Sequence, residues 1–326
     1  MSDPTEQSIR AALAAIAERA PLANVFFVAC GGSFAQMHVP KYAMDRESAS
    51  LAAETYNAAE FTARDLPRLG AASLVVLCSS SGNTPETVAA AVLARRRGAY
   101  TIGLTTKPGS PLAQEVDYVV GYDPQHTIGS ANSAAAILLR IVFGLLRDRE
   151  ANPGHAALER SLAALPGVVS RAQEAQADEV LRWALATRRE PVIYTMASGP
   201  NHGVAYSFSI CILQEMQWIH SQAIHAGEYF HGPFEITDDA VPFICLLGLG
   251  ACRAMDQRAL DFARKYTDKL LVIDLAALDL TGIEPEMIDY LQPLIFLPLL
   301  RMFAIRLAEE RGHPLTVRRY MWKMAY

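Results

Sequence analysis

Ionisable side chains are concentrated in one stretch of the second half of the chain. It contains three carboxylates and three imidazoles: Glu215, His220, His225, Glu228, His231 and Glu235. Glu215 lies in an apolar helix-like run, and His231 precedes the turn Gly232-Pro233, which holds an imidazole on a rigid loop. A carboxylate and an imidazole that face one crevice suit proton transfer beside a carbonyl. Two other interpretations stay open. The groups could be ordinary surface residues or core residues with satisfied hydrogen bonds, an interpretation that fits His220 and His225. They could also form a metal site, which the absence of a His-Glu-x-x-His spacing disfavours.

A hydroxyl-rich loop in the first half, here called the serine loop (residues 79–84), is the second candidate site. It follows an apolar run at 74–78, and its hydroxyl groups belong to Ser79, Ser80, Ser81 and Thr84. Thr84 and Pro85 predict the start of a helix, where unpaired N–H groups and the helix dipole favour an anion. The loop therefore predicts a phosphate cradle, although serine and asparagine are also common in ordinary turns.

Short apolar strands alternate with helices along most of the chain. In the first half, strands are predicted at 25–30, 51–55, 74–78, 100–104 and 118–120, and helices at 6–20, 34–46, 58–66 and 85–98. In the second half, a long helix to Ala186 precedes strands at 192–196, 243–247 and 270–274 and helices at 201–220 and 253–266. This alternation indicates βαβ units, so the expected fold class is α/β with mainly parallel sheets.

The charged segment around Asn152-Pro153-Gly154 is the expected domain junction. It gives domains at 1–150 and 151–311, with a tail at 312–326. The order of elements in the first half recurs after the junction, which indicates an internal duplication. The second copy has Gly248-Leu249-Gly250 where the first has the serine loop, so only the first half is expected to bind phosphate. Ligands lie beyond the carboxyl ends of parallel strands, so Gly31-Gly32-Ser33 is predicted to face the same crevice, with Ser33 as a further donor.

Composition narrows the class of protein. The 326-residue chain is 51% hydrophobic and 19% charged, as expected of a globular protein with much buried surface. Its net charge of -5 gives no indication of nucleic-acid binding. The N-terminus lacks the pattern of a signal peptide, and no uninterrupted apolar run reaches the ~18 residues of a membrane span. A cytoplasmic protein without a membrane or nucleic-acid partner is therefore expected.

Four sequence elements occur in the order found in tandem sugar isomerase (SIS) domains. They are Cys30-Gly31-Gly32-Ser33, the serine loop, the helix glutamate Glu215, and the segment that ends in His231-Gly232-Pro233. The chain resembles this family, including the isomerase half of glucosamine-6-phosphate synthase, over nearly its whole length. Its stretch 312–321 is most similar to that of the fructosamine-6-phosphate deglycases, among them the fructoselysine and fructose-asparagine types. The resemblance implies two tandem subdomains, each with a mainly parallel five-stranded sheet flanked by helices.

The resemblance also implies roles for individual residues. Glu215 would be the catalytic base, and His231 would assist at the ring oxygen or as an acid. In the synthase the corresponding histidine comes from the neighbouring subunit, so a homodimer or a dimer of dimers with its active site at the subunit interface is expected. The tail would close over the substrate, and no metal or other cofactor is expected. The sugar phosphate would be held by Ser33, Ser79, Ser80, Ser81 and Thr84, with Gly32 in the same turn as Ser33.

The chain departs from the synthase at two lysines. The glutamate helix has Ile212 and Leu213, and the tail has Arg319 at roughly the equivalent place; arginine cannot form a Schiff base at a workable pH. The expected reaction is therefore deglycation of a fructosamine 6-phosphate to glucose 6-phosphate and a free amine by proton transfer. An aldose/ketose isomerase, an amino-sugar phosphate deaminase and a non-catalytic phosphosugar sensor are alternatives. Arg318 or Arg319 is a candidate for binding a carboxylate on the amine, and apolar neighbours are expected to raise the pKa of Glu215.

Overall fold

The computed structural model describes residues 4–18, 21–122 and 130–324. The chain packs as two units: the first consists of Met1–Ala163 and Ile283–Tyr290, and the second of Ala164–Gly282 and Leu291–Tyr326. The first unit extends beyond the junction predicted at Asn152-Pro153-Gly154, because the long helix that begins at Gly154 contributes its first residues to that unit.

A five-stranded parallel sheet is the centre of the first unit. Its strands are β1 (Asn24–Ala29), β2 (Ala52–Asn57), β3 (Ser73–Cys78), β4 (Tyr100–Thr105) and β5 (Tyr118–Gly121), in the order β2-β1-β3-β4-β5. The helices are α1 (Pro4–Ala17), α2 (Gly31–Gln36), α3 (His38–Glu47), α4 (Ala58–Ala63), α5 (Pro85–Arg96), α6 (Pro111–Gln114) and α7 (Ala134–Glu150). Strands β1, β3 and β4 are buried along their whole length, as expected of parallel strands covered on both faces. The predicted α/β class and the five strands of this half are confirmed.

A second parallel sheet is the centre of the second unit. Its strands are β6 (Tyr194–Ala197), β7 (Ala223–His225), β8 (Phe243–Leu247) and β9 (Leu270–Asp274), in the order β7-β6-β8-β9. The remaining helices are α8 (Gly154–Thr187), α9 (His202–Ser207), α10 (Arg253–Ala263) and α11 (Ile288–Arg311). This strand order repeats that of the first four strands of the first sheet, as an internal duplication would.

The prediction of five strands in each sheet is wrong for the second. Among the described residues, that sheet has four. The segment after β9 forms a 3-10 turn at Leu275–Ala277 and then a turn in which the N–H of Thr281 donates to the Asp279 carboxylate at 2.9 Å. Gly282 follows with a φ of 105°. Turn-forming residues therefore occupy the place that an apolar fifth strand would need.

Two predicted helices are divided in the structure. The helix predicted at 34–46 forms α2 and α3, which meet at Met37, and Pro40 lies in the first turn of α3, where its missing N–H is tolerated. The helix predicted at 201–220 is α9 followed by a π-helix at Phe208–Gln214. The helical turns that follow the π-helix end at Trp218, because its left-handed φ of 56° cannot continue a right-handed helix.

In the part of the chain that the structure describes, one helical segment, Pro285–Arg311, is long and apolar enough to cross a membrane, with a mean hydropathy of 1.5. The requirement for an uninterrupted apolar run did not identify it in the sequence. Within this segment, 72% of the most apolar window is buried inside the protein, which is the pattern of a core helix.

Candidate functional site

The first unit brings the turn after β1 and the serine loop together at the carboxyl edge of its sheet. The order β2-β1-β3-β4-β5 places the switch point between β1 and β3, where open parallel sheets bind ligands. Both Ser33 and Tyr122 hydrogen-bond to the side chain of Cys78, and Tyr122 also hydrogen-bonds to Ser80. Burial raises the pKa of the Cys78 thiol to about 11, so the thiol stays protonated. Ser33, in the first turn of α2, therefore lies beside the residue that precedes the serine loop.

Hydrogen bonds inside the serine loop divide its hydroxyl groups into two sets. The Ser79 hydroxyl is buried; it lies 2.9 Å from the Thr84 hydroxyl and accepts from the N–H of Gly82 at 3.1 Å. Ser80 and Ser81 are exposed, and the Ser81 oxygen accepts from the backbone N–H of Asn83 at 3.2 Å, which leaves its own proton for a ligand. Ser79 and Thr84 thus shape the loop, the Ser80 side chain is engaged with Tyr122, and Ser81 presents a donor to solvent.

The helix start predicted after the serine loop is confirmed. Thr84 is the N-cap of α5 and Pro85 occupies the first turn. The Thr84 side chain makes no capping hydrogen bond, because it is engaged with Ser79 instead. The first N–H groups of a helix have no intrahelical acceptor, so α5 adds backbone donors beside the loop hydroxyls.

Gly82 fixes the course of the serine loop. Its φ of 67° lies in the left-handed region, and a Cβ placed there would lie 1.9 Å from the Ser110 Oγ and 2.9 Å from the Thr105 Oγ1. The Gly82 carbonyl also accepts from the N–H of Leu112 at 3.0 Å. The loop therefore packs against the segment after β4, and only glycine fits at this contact.

The corresponding edge of the second sheet is filled by protein side chains. After β8, the N–H of Gly248 donates to the buried Asp256 carboxylate at 3.4 Å, and the Ser198 hydroxyl after β6 donates to the same carboxylate at 2.5 Å. A Cβ at Gly248 would meet the side chains of Gln292 and Asn201 within 2.7 Å. Burial raises the pKa of Asp256 to about 6. A buried carboxyl group and two amides take up this edge, which disfavours a phosphate there and agrees with the predicted asymmetry between the halves.

Glu215 follows the π-helix Phe208–Gln214 directly. Its N–H donates to the carbonyl of Ile210 at 3.1 Å, the five-residue spacing of a π-turn. The turn that follows is irregular, since the N–H groups of Met216 and Gln217 both donate to the carbonyl of Ile212. Single π-turns are rare and occur frequently at functional sites, because the extra residue redirects a side chain.

Glu215 is a partly desolvated carboxylate with an arginine partner. Its Oε1 lies 2.8 Å from the Arg318 Nη2, and its side chain is 21% exposed against 7% for Arg318. Burial raises the pKa of Glu215, and the charge and hydrogen bond of Arg318 act against that rise. The predicted direction of the pKa shift is confirmed. The guanidinium offers hydrogen-bond donors and no acceptor, so Arg318 can orient the carboxylate.

Arg318 is held by the C-terminal tail itself. Its Nη1 donates to the carbonyls of Leu315 and Val317, each at 2.8 Å, and its guanidinium lies 5.3 Å from the centre of the Trp322 ring. Lys323 donates to the carbonyl of Arg318 at 2.5 Å. The tail therefore positions a buried cation against Glu215.

His231 ends a 3-10 turn at Tyr229–His231 and is exposed. Its backbone N–H donates to the carbonyl of Glu228 at 2.9 Å, and Gly232 follows with a φ of 141°. In the part of the chain that the structure describes, no hydrogen bond or ion pair joins its imidazole to Glu215 or to another residue.

Sequence reasoning missed two side chains near these groups, and the structure separates the two arginines that it named together. Tyr122 follows β5 at the same edge as the serine loop, and its position after a strand was the available signal. Arg301 lies in α11 as a lone cation in an apolar run, the signal that identified Glu215. Arg319 is exposed, with its guanidinium 4.3 Å from the centre of the Trp218 ring, while its neighbour Arg318 contacts Glu215.

Known proteins resemble this chain in both sequence and structure. A family model described as the SIS domain matches residues 21–146, which lie in the first unit. The fructosamine deglycase FrlB of Bacillus subtilis is 54% identical over 93% of this chain and 92% of its own length. The fructoselysine 6-phosphate deglycase of Escherichia coli O157:H7 is 28% identical over 91% of this chain and 85% of its own length. A crystal structure of a Bacillus subtilis protein, described as a candidate phosphosugar isomerase, matches over 100% of both chains at 51% identity and a TM-score of 0.96.

Proposed function

Since the chain belongs to the SIS domain family of fructosamine deglycases, we propose that it cleaves a fructosamine 6-phosphate to glucose 6-phosphate and a free amine. The observation that carries this proposal is Glu215, a partly desolvated carboxylate with a raised pKa that is held 2.8 Å from a permanent cation. A base with a raised pKa both accepts a proton and returns it near neutral pH. The similarity to the two deglycases supports the choice of substrate.

The phosphate end of the substrate is assigned to the first unit. Ser33, Ser80 and Ser81 would donate to the phosphate oxygens together with the first N–H groups of α5, and Ser79 and Thr84 would hold the loop in shape. Gly32, which has no side chain, would allow the backbone to approach the substrate phosphate closely. The filled edge of the second sheet supports a single phosphate site per chain.

The reaction would begin with proton removal from C1. Glu215 takes a C1 proton from R–NH–CH2–CO–sugar, the C1–H electron pair forms the C1–C2 double bond, and the C2=O π pair moves to the oxygen, which takes a proton from water to give an enaminol. The protonated Glu215 then delivers its proton to C2 while the nitrogen lone pair forms the C1–N double bond and the N–H proton passes to water, which gives the imine R–N=CH–CH(OH)–sugar. Water adds to C1 and the C–N bond breaks, so that the amine leaves with a proton and glucose 6-phosphate remains. Arg318 would keep Glu215 oriented and limit the rise of its pKa.

His231 is assigned to proton transfer at the ring oxygen, where opening of the cyclic sugar exposes the C2 carbonyl. An exposed imidazole without a contact to Glu215 is compatible with action in the neighbouring subunit of a homodimer. Mixing a Glu215→Gln protein with a His231→Ala protein tests this point. Hybrid dimers should regain part of the activity if the histidine acts across the interface, and they should stay inactive if it acts within its own chain.

Mass-spectrometric product analysis with several fructosamine 6-phosphates tests the function. Equal amounts of glucose 6-phosphate and free amine are expected from at least one of them. Ammonia from glucosamine 6-phosphate would favour a deaminase, and interconversion of an aldose and a ketose phosphate without amine release would favour an isomerase. Tight binding of sugar phosphates with no turnover would favour a phosphosugar sensor.

A further inference from the structure

Two arginines of the described chain lie next to the segment Glu215–Met216 in the second unit, and within that part of the chain only one has a carboxylate partner. Arg318 is paired with Glu215. Arg301, on α11, is partly buried, and its Nη1 lies 3.9 Å from the Met216 Sδ. Burial and the charge of Arg318 both lower the pKa of Arg301. Among the described residues Arg301 forms no ion pair, so this cluster holds one cation more than it holds anions.

Other arginines of the second unit show how a structural arginine is accommodated. Arg253 forms two hydrogen bonds with the Asp274 carboxylate, at 2.7 and 2.9 Å. Arg306, on the same helix as Arg301, is exposed and pairs with a nearby glutamate at 2.9 Å. Taking a guanidinium group out of water without pairing it with an anion costs free energy. The Arg318 Nε is also buried, and no described residue accepts a hydrogen bond from it. The Arg301 guanidinium and the Arg318 Nε are therefore hydrogen-bond donors that an anionic group could accept from.

We propose that Arg301, with Arg318, binds the carboxylate of the amino acid that deglycation releases, which makes Arg301 a specificity-determining residue. This inference rests on the proposed function. In a fructosamine made from the α-amino group, three bonds separate the carboxylate carbon from C1, the carbon at which Glu215 would act. Arg301 contacts Met216, the direct neighbour of Glu215, and lies close enough to Arg318 for the two charges to interact. Guanidinium groups bind carboxylates through paired, charge-assisted hydrogen bonds.

The same cations could instead bind the sugar phosphate, and the experiment separates the two anions. Its substrates are two fructosamine 6-phosphates that share the phosphate and differ in the carboxylate: one made from alanine and one made from ethylamine. The purified chain should cleave the alanine compound with a kcat/KM about 10- to 100-fold higher, the range for a hydrogen bond between charged groups. Equal kcat/KM values for the two compounds would overturn the inference. Cleavage of neither compound, nor of any other fructosamine 6-phosphate, would instead overturn the proposed function.

An Arg301→Gln variant assigns the preference to this residue. Its kcat/KM for the alanine compound should fall about 10- to 100-fold, mainly through KM, and its kcat/KM for the ethylamine compound should stay close to that of the unchanged protein. Arg301→Lys, which keeps the charge without the paired donors, should retain part of the preference. Arg306→Gln is the matched control and should leave both values unchanged. An equal loss on both substrates in Arg301→Gln would indicate a phosphate-binding or structural role and would overturn the inference.

Discussion

Replacing Gly82 with alanine is expected to destabilise the folded protein by about 2–5 kcal/mol. The left-handed φ of 67° costs a residue with a Cβ about 1–2 kcal/mol relative to glycine. The new Cβ would lie 1.9 Å from the Ser110 Oγ, 2.3 Å from the Ser110 Cβ and 2.9 Å from the Thr105 Oγ1. Relieving such overpacking typically costs about 1–3 kcal/mol, and the two contributions together give the range.

The serine loop can lower this cost by shifting, but the shift would misplace its phosphate donors. Gly82→Ala should therefore unfold at a lower urea concentration and show a higher KM for phosphorylated substrate. Gly109→Ala, in the neighbouring loop, is the matched control, because a Cβ at Gly109 meets nothing within 4 Å. Adding Ser110→Gly to Gly82→Ala removes the nearest atoms and should recover the packing contribution of about 1–3 kcal/mol. Gly82→Ala that unfolds at the same urea concentration as Gly109→Ala would refute this account of the loop.

Three further changes test single groups. Ser81→Ala removes an exposed donor, so the preference for phosphorylated over unphosphorylated substrate should fall roughly 10-fold or more in binding titrations; an unchanged preference would exclude it from the cradle. Arg318→Gln removes the cation that opposes the raised pKa of Glu215, so the acidic limb of the kcat/KM profile should move to higher pH, whereas Arg319→Gln should leave that limb in place. Burial raises the pKa of Asp256 from 3.8 to about 6, so its carboxyl contributes stability that is fully present below pH 3.8 and lost as the pH rises through 6. Between pH 3.8 and about 6, the unchanged protein should lose about 3 kcal/mol of unfolding free energy relative to Asp256→Asn, as measured by urea titrations. If the unfolding free energies of the two proteins change in parallel with pH, the raised pKa of Asp256 is contradicted.

The first sheet and the serine loop could be predicted from the sequence because both depend on local patterns. The apolar runs that form β1, β3 and β4 are long enough to identify buried strands, and Thr84-Pro85 marks the start of α5. The turn after β1 could be placed beside the serine loop because parallel strands end at the same edge.

The second unit was harder to predict because tertiary packing decides its shape. The strand β7 is only three residues long, and the π-helix before Glu215 leaves no periodic signal in the sequence. The pairing of Glu215 with Arg318 joins residues about 100 positions apart in the chain, which no local pattern reveals. The sequence made Arg318 and Arg319 equal candidates, whereas packing buries the first and stacks the second on Trp218.

The central claim is that Glu215 removes a C1 proton from a fructosamine 6-phosphate before the amine leaves. Its most direct test is single-turnover kinetics of amine release by the unchanged protein and by Glu215→Gln, with substrate affinity measured for both. The account predicts that Glu215→Gln binds substrate with similar affinity and releases the amine about 10²- to 10⁴-fold more slowly, with glucose 6-phosphate equal to the amine throughout. Near-normal amine release by Glu215→Gln on the best substrate would contradict it.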